Sequence, residues 1–151
     1  FNQKKSLASV VEGHLRDAEK VMIAALPTTA ARGRVKKAIP ALGVEPDGAA
    51  VTRATTLLTF SEEVRSCANY AGFSAAHAKM GDRLGQAIDQ YVEEALDLVR
   101  TAEPADVAHA YDHLLVVADF CALVRDSRAA DLIRRRAASA RQAEPPSEPD
   151  A

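Results

Sequence analysis

His109 and His113 sit four residues apart with Asp112 beside them, a group of metal-capable side chains. Histidines four residues apart on a helix project from one face, a spacing with which two imidazoles can chelate zinc. The run His109-Ala110-Tyr111-Asp112-His113 lacks the glutamate of the metalloprotease helix, however, and no third ligand stands near it. The apolar stripe of this segment places both histidines off the core face. A solvated surface pair is therefore the expectation, with no metal bound.

Three other groups invite the same question. His77-Ala78-Lys79-Met80-Gly81 carries the residue types of a histidine phosphotransfer site, where a helical histidine accepts a phosphoryl group. That site has the order His-x-x-Lys-Gly, and moving Lys by one position turns it about 100° around the helix, so the geometry fails. Glu93, Glu94 and Asp97 can attract a cation but read as a solvated helix face. Cys67 and Cys121 lie on apolar stripes of helices expected to be diagonal, too far apart for a disulfide, so both are expected to be buried free thiols. No phosphate-binding glycine loop and no paired nucleophile and base can be picked out. The expectation is a protein that is not an enzyme and holds no cofactor.

The elements that position these groups read as helices. Leu7, Val11, Leu15, Ala18, Met22 and Ala25 recur every three or four residues and predict a first helix from about Ser6 to Leu26. Ser9 and Glu12 have the spacing of a capping box, and Pro27 ends the helix. Residues 27–48 are punctuated by Pro27, Gly33, Pro40, Gly43, Pro46 and Gly48, which predicts an irregular connection or one short helical turn. A second helix is expected from about Ala49 to Lys79. Leu57, Phe60, Val64, Cys67, Ala71, Ala75 and Ala78 form one of its stripes; Tyr70, Phe73, His77 and Met80 form another. Gly72 within it predicts close helix contact. Gly81-Asp82 ends it and caps a third helix to about Ala102, built on Leu84, Ile88, Tyr91, Ala95 and Leu98.

Glu103-Pro104 opens a fourth helix, because proline is favoured at the first helical position. Its stripe is Val107, Ala110, Leu114, Val117, Cys121 and Val124, with a kink expected at Asp126-Ser127 before Leu132, Ile133 and Arg134-Arg135-Arg136. The proline-rich, acidic run from 142 onward predicts a disordered tail, leaving a single domain over residues 1–141. The fold class expected is all-α, an up-down-up-down four-helix bundle with a long first connection.

Composition fits this reading. The 151 residues are 48% hydrophobic and 26% charged, with four Phe, three Tyr and no Trp. Ala, Leu and Val must fill the core. Net charge is −2, which argues against nucleic acid as a partner. Residues 1–53 hold nine Lys/Arg against five Asp/Glu, and residues 54–127 hold five against twelve. A basic leading segment thus precedes an acidic body. No apolar run approaches the roughly 20 residues of a membrane span. Phe1 in place of Met reads as a processed or trimmed start.

Residues from about 60 to 124 resemble the PsbQ family, the extrinsic oxygen-evolving enhancer proteins of photosystem II. Val64-Arg65-Ser66-Cys67-Ala68-Asn69-Tyr70-Ala71-Gly72-Phe73 is similar to that family's second-helix pattern. Arg83 through Ala102 is similar to its third helix, and Glu103-Pro104-Ala105-Asp106-Val107-Ala108-His109-Ala110-Tyr111 to the start of its fourth. Ala71 and Gly72 stand where the family carries bulkier residues, and residues 1–48 show no match.

The resemblance implies a non-catalytic subunit in the thylakoid lumen, peripheral to the membrane. It would dock on the lumenal face of photosystem II and help retain calcium and chloride, binding neither manganese nor chlorophyll itself. Its partners would be protein subunits of a larger membrane complex, with no nucleic acid and peripheral membrane contact at most. The alternative is a helical-bundle adaptor of another membrane-associated complex, with a BAR-like membrane-curving coil and a phosphotransfer protein behind it. For partner binding, Arg32, Arg34, Lys36 and Lys37 form the densest cation run, in a connection that packing does not claim. They are the docking residues expected from sequence.

Overall fold

A computed structural model describes residues 2–26, 28–29, 39–41, 43–68, 72 and 74–142, with backbone alone for 2–8, 29, 39 and 67. The architecture is all-α. Five α-helices are present among the described residues: α1 (Asn2–Ala25), α2 (Gly48–Glu63), α3 (Ser74–Val99), α4 (Pro104–Val124) and α5 (Ser127–Gln142). Two residue pairs, Thr28 with Pro40 and Thr29 with Ile39, form a short antiparallel pairing of β1 (Thr28–Thr29) and β2 (Ile39–Pro40) after α1. That ladder stands where an irregular connection was expected.

Local chemistry sets the helix ends. Asp47 has extended backbone, and its carboxylate accepts from the Ala49 and Ala50 amides at 3.0 and 3.4 Å, capping α2. Pro104 opens α4 after an extended Glu103. Asp126 Oδ1 accepts from the Ala129 amide at 2.8 Å and caps α5. The expected kink at Asp126-Ser127 is therefore a full break between two helices. Ser9 and Glu12 lie inside α1, so they cap nothing.

The long second helix expected over residues 49–79 is broken. α2 stops at Glu63, Val64–Cys67 forms a 3₁₀ turn, and Gly72 has φ +83°. Gly72 is an exposed turn residue with nothing within 4 Å of where a Cβ would stand, so the expected close packing does not occur there. Gly81 and Asp82, expected to end a helix, lie inside α3. A single internal glycine costs roughly 1 kcal/mol in helix propensity. The buried run Met80, Leu84, Ile88, Tyr91 and Ala95 along the same helix outweighs it.

Packing joins α1 to α2 and α3, α4 to α2 and α3, and α5 mainly to α4 with a lesser contact to α3. α2 and α4 therefore touch directly and are not the diagonal pair assumed for the cysteines. α1 buries Val11, Leu15, Ala18, Met22 and Ala25, the stripe expected from sequence. α2 buries Ala50, Ala54, Leu58 and Ser61, one residue round from the expected Leu57, Phe60 and Val64 face. α4 is the one described helix long and apolar enough to cross a membrane by length and composition, at a mean hydropathy of 1.4. Here it is the helix shared by α2, α3 and α5.

The close approach that glycine permits occurs at Gly85. A Cβ there would lie 2.8 Å from Nη2 of Arg125, whose guanidinium crosses α3 and pairs with both Asp89 oxygens at 2.7 Å.

Two expectations follow for stability. Gly72→Ala forces an L side chain into left-handed backbone and lowers stability by about 1 kcal/mol; a gain in denaturant melts would show that the turn relaxes freely. Gly85→Ala raises helix propensity by about 1 kcal/mol but displaces Arg125 from Asp89. The gain should therefore be larger in an Arg125→Ala background than in the parent. Urea melts of the four variants test this, and equal gains in both backgrounds would refute the coupling.

Candidate docking groove

The C-terminal half of α3, the first turns of α4 and the C-terminal half of α5 enclose a groove of about 1110 Å³. Leu96, Val99, Val107 and Leu132 supply much of its apolar surface, and Leu132 is 52% exposed. Arg100 stands in the turn just past α3; Arg135, Arg136 and Arg141 stand on the α5 wall. Glu93 and Asp97 are the acidic residues lining it.

Ion pairs fix these walls. Arg136 makes a two-pronged contact to Glu93 at 2.7 and 3.1 Å, tying α5 to α3 and holding the Glu93 carboxyl below its ordinary range. Arg134 reaches Asp119 on α4 at 2.9 Å and Asp131 on its own helix at 2.8 Å. Arg141 lies 4.6 Å from the Tyr111 ring centroid, a cation–π contact. Arg100 is 80% exposed and only loosely paired with Asp97, at 3.9 Å. Arg135 is exposed. The arginine run 134–136 is legible in sequence, but its division into two braces and one solvent-facing cation requires the fold.

The residues singled out from sequence fall elsewhere. Arg32, Arg34, Lys36 and Lys37 lie outside the described residues, as does the tail 143–151. Glu93, Glu94 and Asp97 do not act as one cluster. Glu93 holds Arg136, Glu94 accepts from Gln90 at 3.0 Å, and Asp97 faces Arg100. His77 is half-buried with Nε2 2.9 Å from the Ser61 carbonyl oxygen, so it joins the start of α3 to the end of α2. It also lines a cleft of about 650 Å³ with Glu62, Arg65 and Asp82. Cys121 is a buried free thiol whose pKa is pushed up by desolvation. Cys67 is described by its backbone alone, at the end of the 3₁₀ turn.

The histidine pair requires a correction. His113 is fully buried, and its Nε2–H donates to the Val44 carbonyl oxygen at 2.7 Å, anchoring the segment before α2 to α4. A stripe drawn through Ala110, Leu114 and Val117 puts His113 off the core face, but the segment before α2 packs on that side and buries it. Nδ1 of both His109 and His113 is buried without a hydrogen-bond partner. No group of three or more His, Cys, Asp or Glu side chains placed to hold a metal occurs among the described residues.

Comparison with known proteins gives no match to any family model, and neither a curated protein nor a solved structure shows significant similarity.

Desolvation lowers the His113 pKa from the ordinary 6.5, with the Val44 hydrogen bond and Asp112 opposing and His109 reinforcing. Protonation would place a charge and a second donor, Nδ1–H, in a buried site with no acceptor. Because the folded value is depressed, His113's contribution is fully present above the unfolded value. It is lost as pH falls below 6.5, where the unfolded chain takes up the proton first. Proton NMR of the imidazoles should give His113 a midpoint below 6.5. A midpoint at or above that value would contradict the buried neutral ring.

Proposed function

We propose that this chain is a non-catalytic helical docking module, a subunit of a larger assembly that engages its partner through the α3–α4–α5 groove. In this reading α1 to α4 form a four-helix bundle and α5 is an added wall. The closed set of packing contacts α1–α2–α4–α3 supports the bundle. The observation that carries docking is the half-exposed Leu132 beside two solvent-facing arginines on walls braced by ion pairs. Apolar surface rimmed by charge is a common form of protein interaction site.

Leu132→Asp tests this reading. The side chain is half outside already, so the melting temperature should barely move. In the native cell the variant should lose co-purification with the assembly that retains the parent. Retention equal to the parent's would place docking elsewhere.

The more specific form of the proposal is an extrinsic subunit on the lumenal face of photosystem II. Its support is the family resemblance, with Pro104 at the first position of α4 as that resemblance expects. Against it, within the stretch compared with a family helix, Val64–Cys67 forms a 3₁₀ turn and Gly72 is a turn residue with positive φ. In that form, thylakoid membranes should hold the protein at low salt and release it near 1 M, where the Debye length is about 3 Å. Absence from thylakoids would remove this form and leave the docking module.

A further inference from the structure

We infer that the occupant of the α3–α4–α5 groove is an amphipathic helix of a partner protein with acidic flanks on both sides of its apolar stripe. The inference rests on the docking reading above and adds the partner's chemistry. From Leu132 to Arg141, the α5 wall rises about 13 Å at 1.5 Å per residue, between two and three turns of a seated helix. Leu96, Val99, Val107 and Leu132 give that helix an apolar bed.

Charge placement selects a helix over an acyl anion. A fatty acid carries one charge at one end and calls for cations gathered there. Here the solvent-facing cations stand on both sides, Arg100 just past the end of α3 and Arg135 on α5, with Arg141 beyond. Glu93 is already engaged by Arg136, which leaves Asp97 as the lining carboxylate nearest Arg100. A helix with Glu or Asp flanking Leu residues at i, i+3, i+4 and i+7 meets both walls at once.

Synthetic helical peptides of about 18 residues test this, with an identical leucine stripe and either glutamate or lysine flanks. Fluorescence anisotropy on the full chain should show the glutamate peptide binding at least about tenfold tighter than the lysine peptide, with the preference fading as salt screens the charges. Arg100→Glu with Arg135→Glu should reverse the order while circular dichroism and melting temperature stay at parent values. Equal binding of both peptides, or a glutamate preference unchanged by the double variant, overturns the inference. So does dodecanoate or an anionic vesicle occupying the groove where the peptides do not. Sedimentation showing a parent dimer that Leu132→Asp dissolves would assign the groove to a second copy and also overturn it. If the peptides fail but Leu132→Asp still severs the native assembly, docking stands and only this partner chemistry falls. If both fail, docking falls with it.

Discussion

Burial of α4 by three neighbours is the constraint on which the rest of the structure depends. Ala110, His113, Leu114, Val117, Ala118, Phe120 and Cys121 are all buried, and they point in several directions around the helix. A helix apolar over so wide an arc cannot rest on one partner. α2, α3 and α5 each cover part of it, and α1 closes the set by packing on α2 and α3. With no tryptophan in the chain, Phe120 is the largest fully buried side chain among the described residues. Ala54, Ala95, Ala110, Ala118 and Ala130 are fully buried, and side chains this small let helices pack closely.

Polar groups then take positions the core leaves to them. His113 satisfies one nitrogen by drawing the Val44 carbonyl onto α4, which fixes the segment leading into the Asp47 cap of α2. Arg125, just past the end of α4, is held over Gly85 by Asp89. The Arg125–Asp89 pair is partly solvated, and such pairs are worth under about 1 kcal/mol. Direction is their larger contribution. Arg125–Asp89 sets where α4 ends against α3, and Arg136–Glu93 sets where α5 lies against both.

Where a buried face is narrow and continuous, the sequence was a good guide. The α1 stripe, the Leu84-Ile88-Tyr91-Ala95 face of α3 and the Pro104 start of α4 all read directly from spacing. Spacing could not separate one long helix from two joined end to end. The apolar residues after Val64 keep helical rhythm through the 3₁₀ turn, so the break at Gly72 was read as close packing. The buried α2 face lies one residue round from the one spacing predicts because Ala50, Ala54 and Ser61, small residues that carry little hydrophobic signal, pack inward with Leu58. His113 was missed because periodicity measures one face, and α4 has more than one. The groove is not legible from spacing because it depends on how three successive helices pack, with α5 against α4 and only slightly against α3.

The groove itself follows from the α5 seam. α5 buries Ala130, Ile133 and Ala137, a narrow stripe with small residues at both ends. Such a stripe draws α5 against α4 and leaves its contact with α3 slight. Leu132 precedes Ile133 by one residue and is therefore turned about 100° from the seam, where it cannot join the buried stripe. Arg136 follows Leu132 by four residues on that side, and its guanidinium is taken up by Glu93 of α3. Closing the trough would need a bulky apolar residue on the flank that Arg135 and Ser139 occupy. The sequence places polar groups there, so apolar surface stays open beneath a cationic edge. A surface left in that state by the packing is one that another chain can complete.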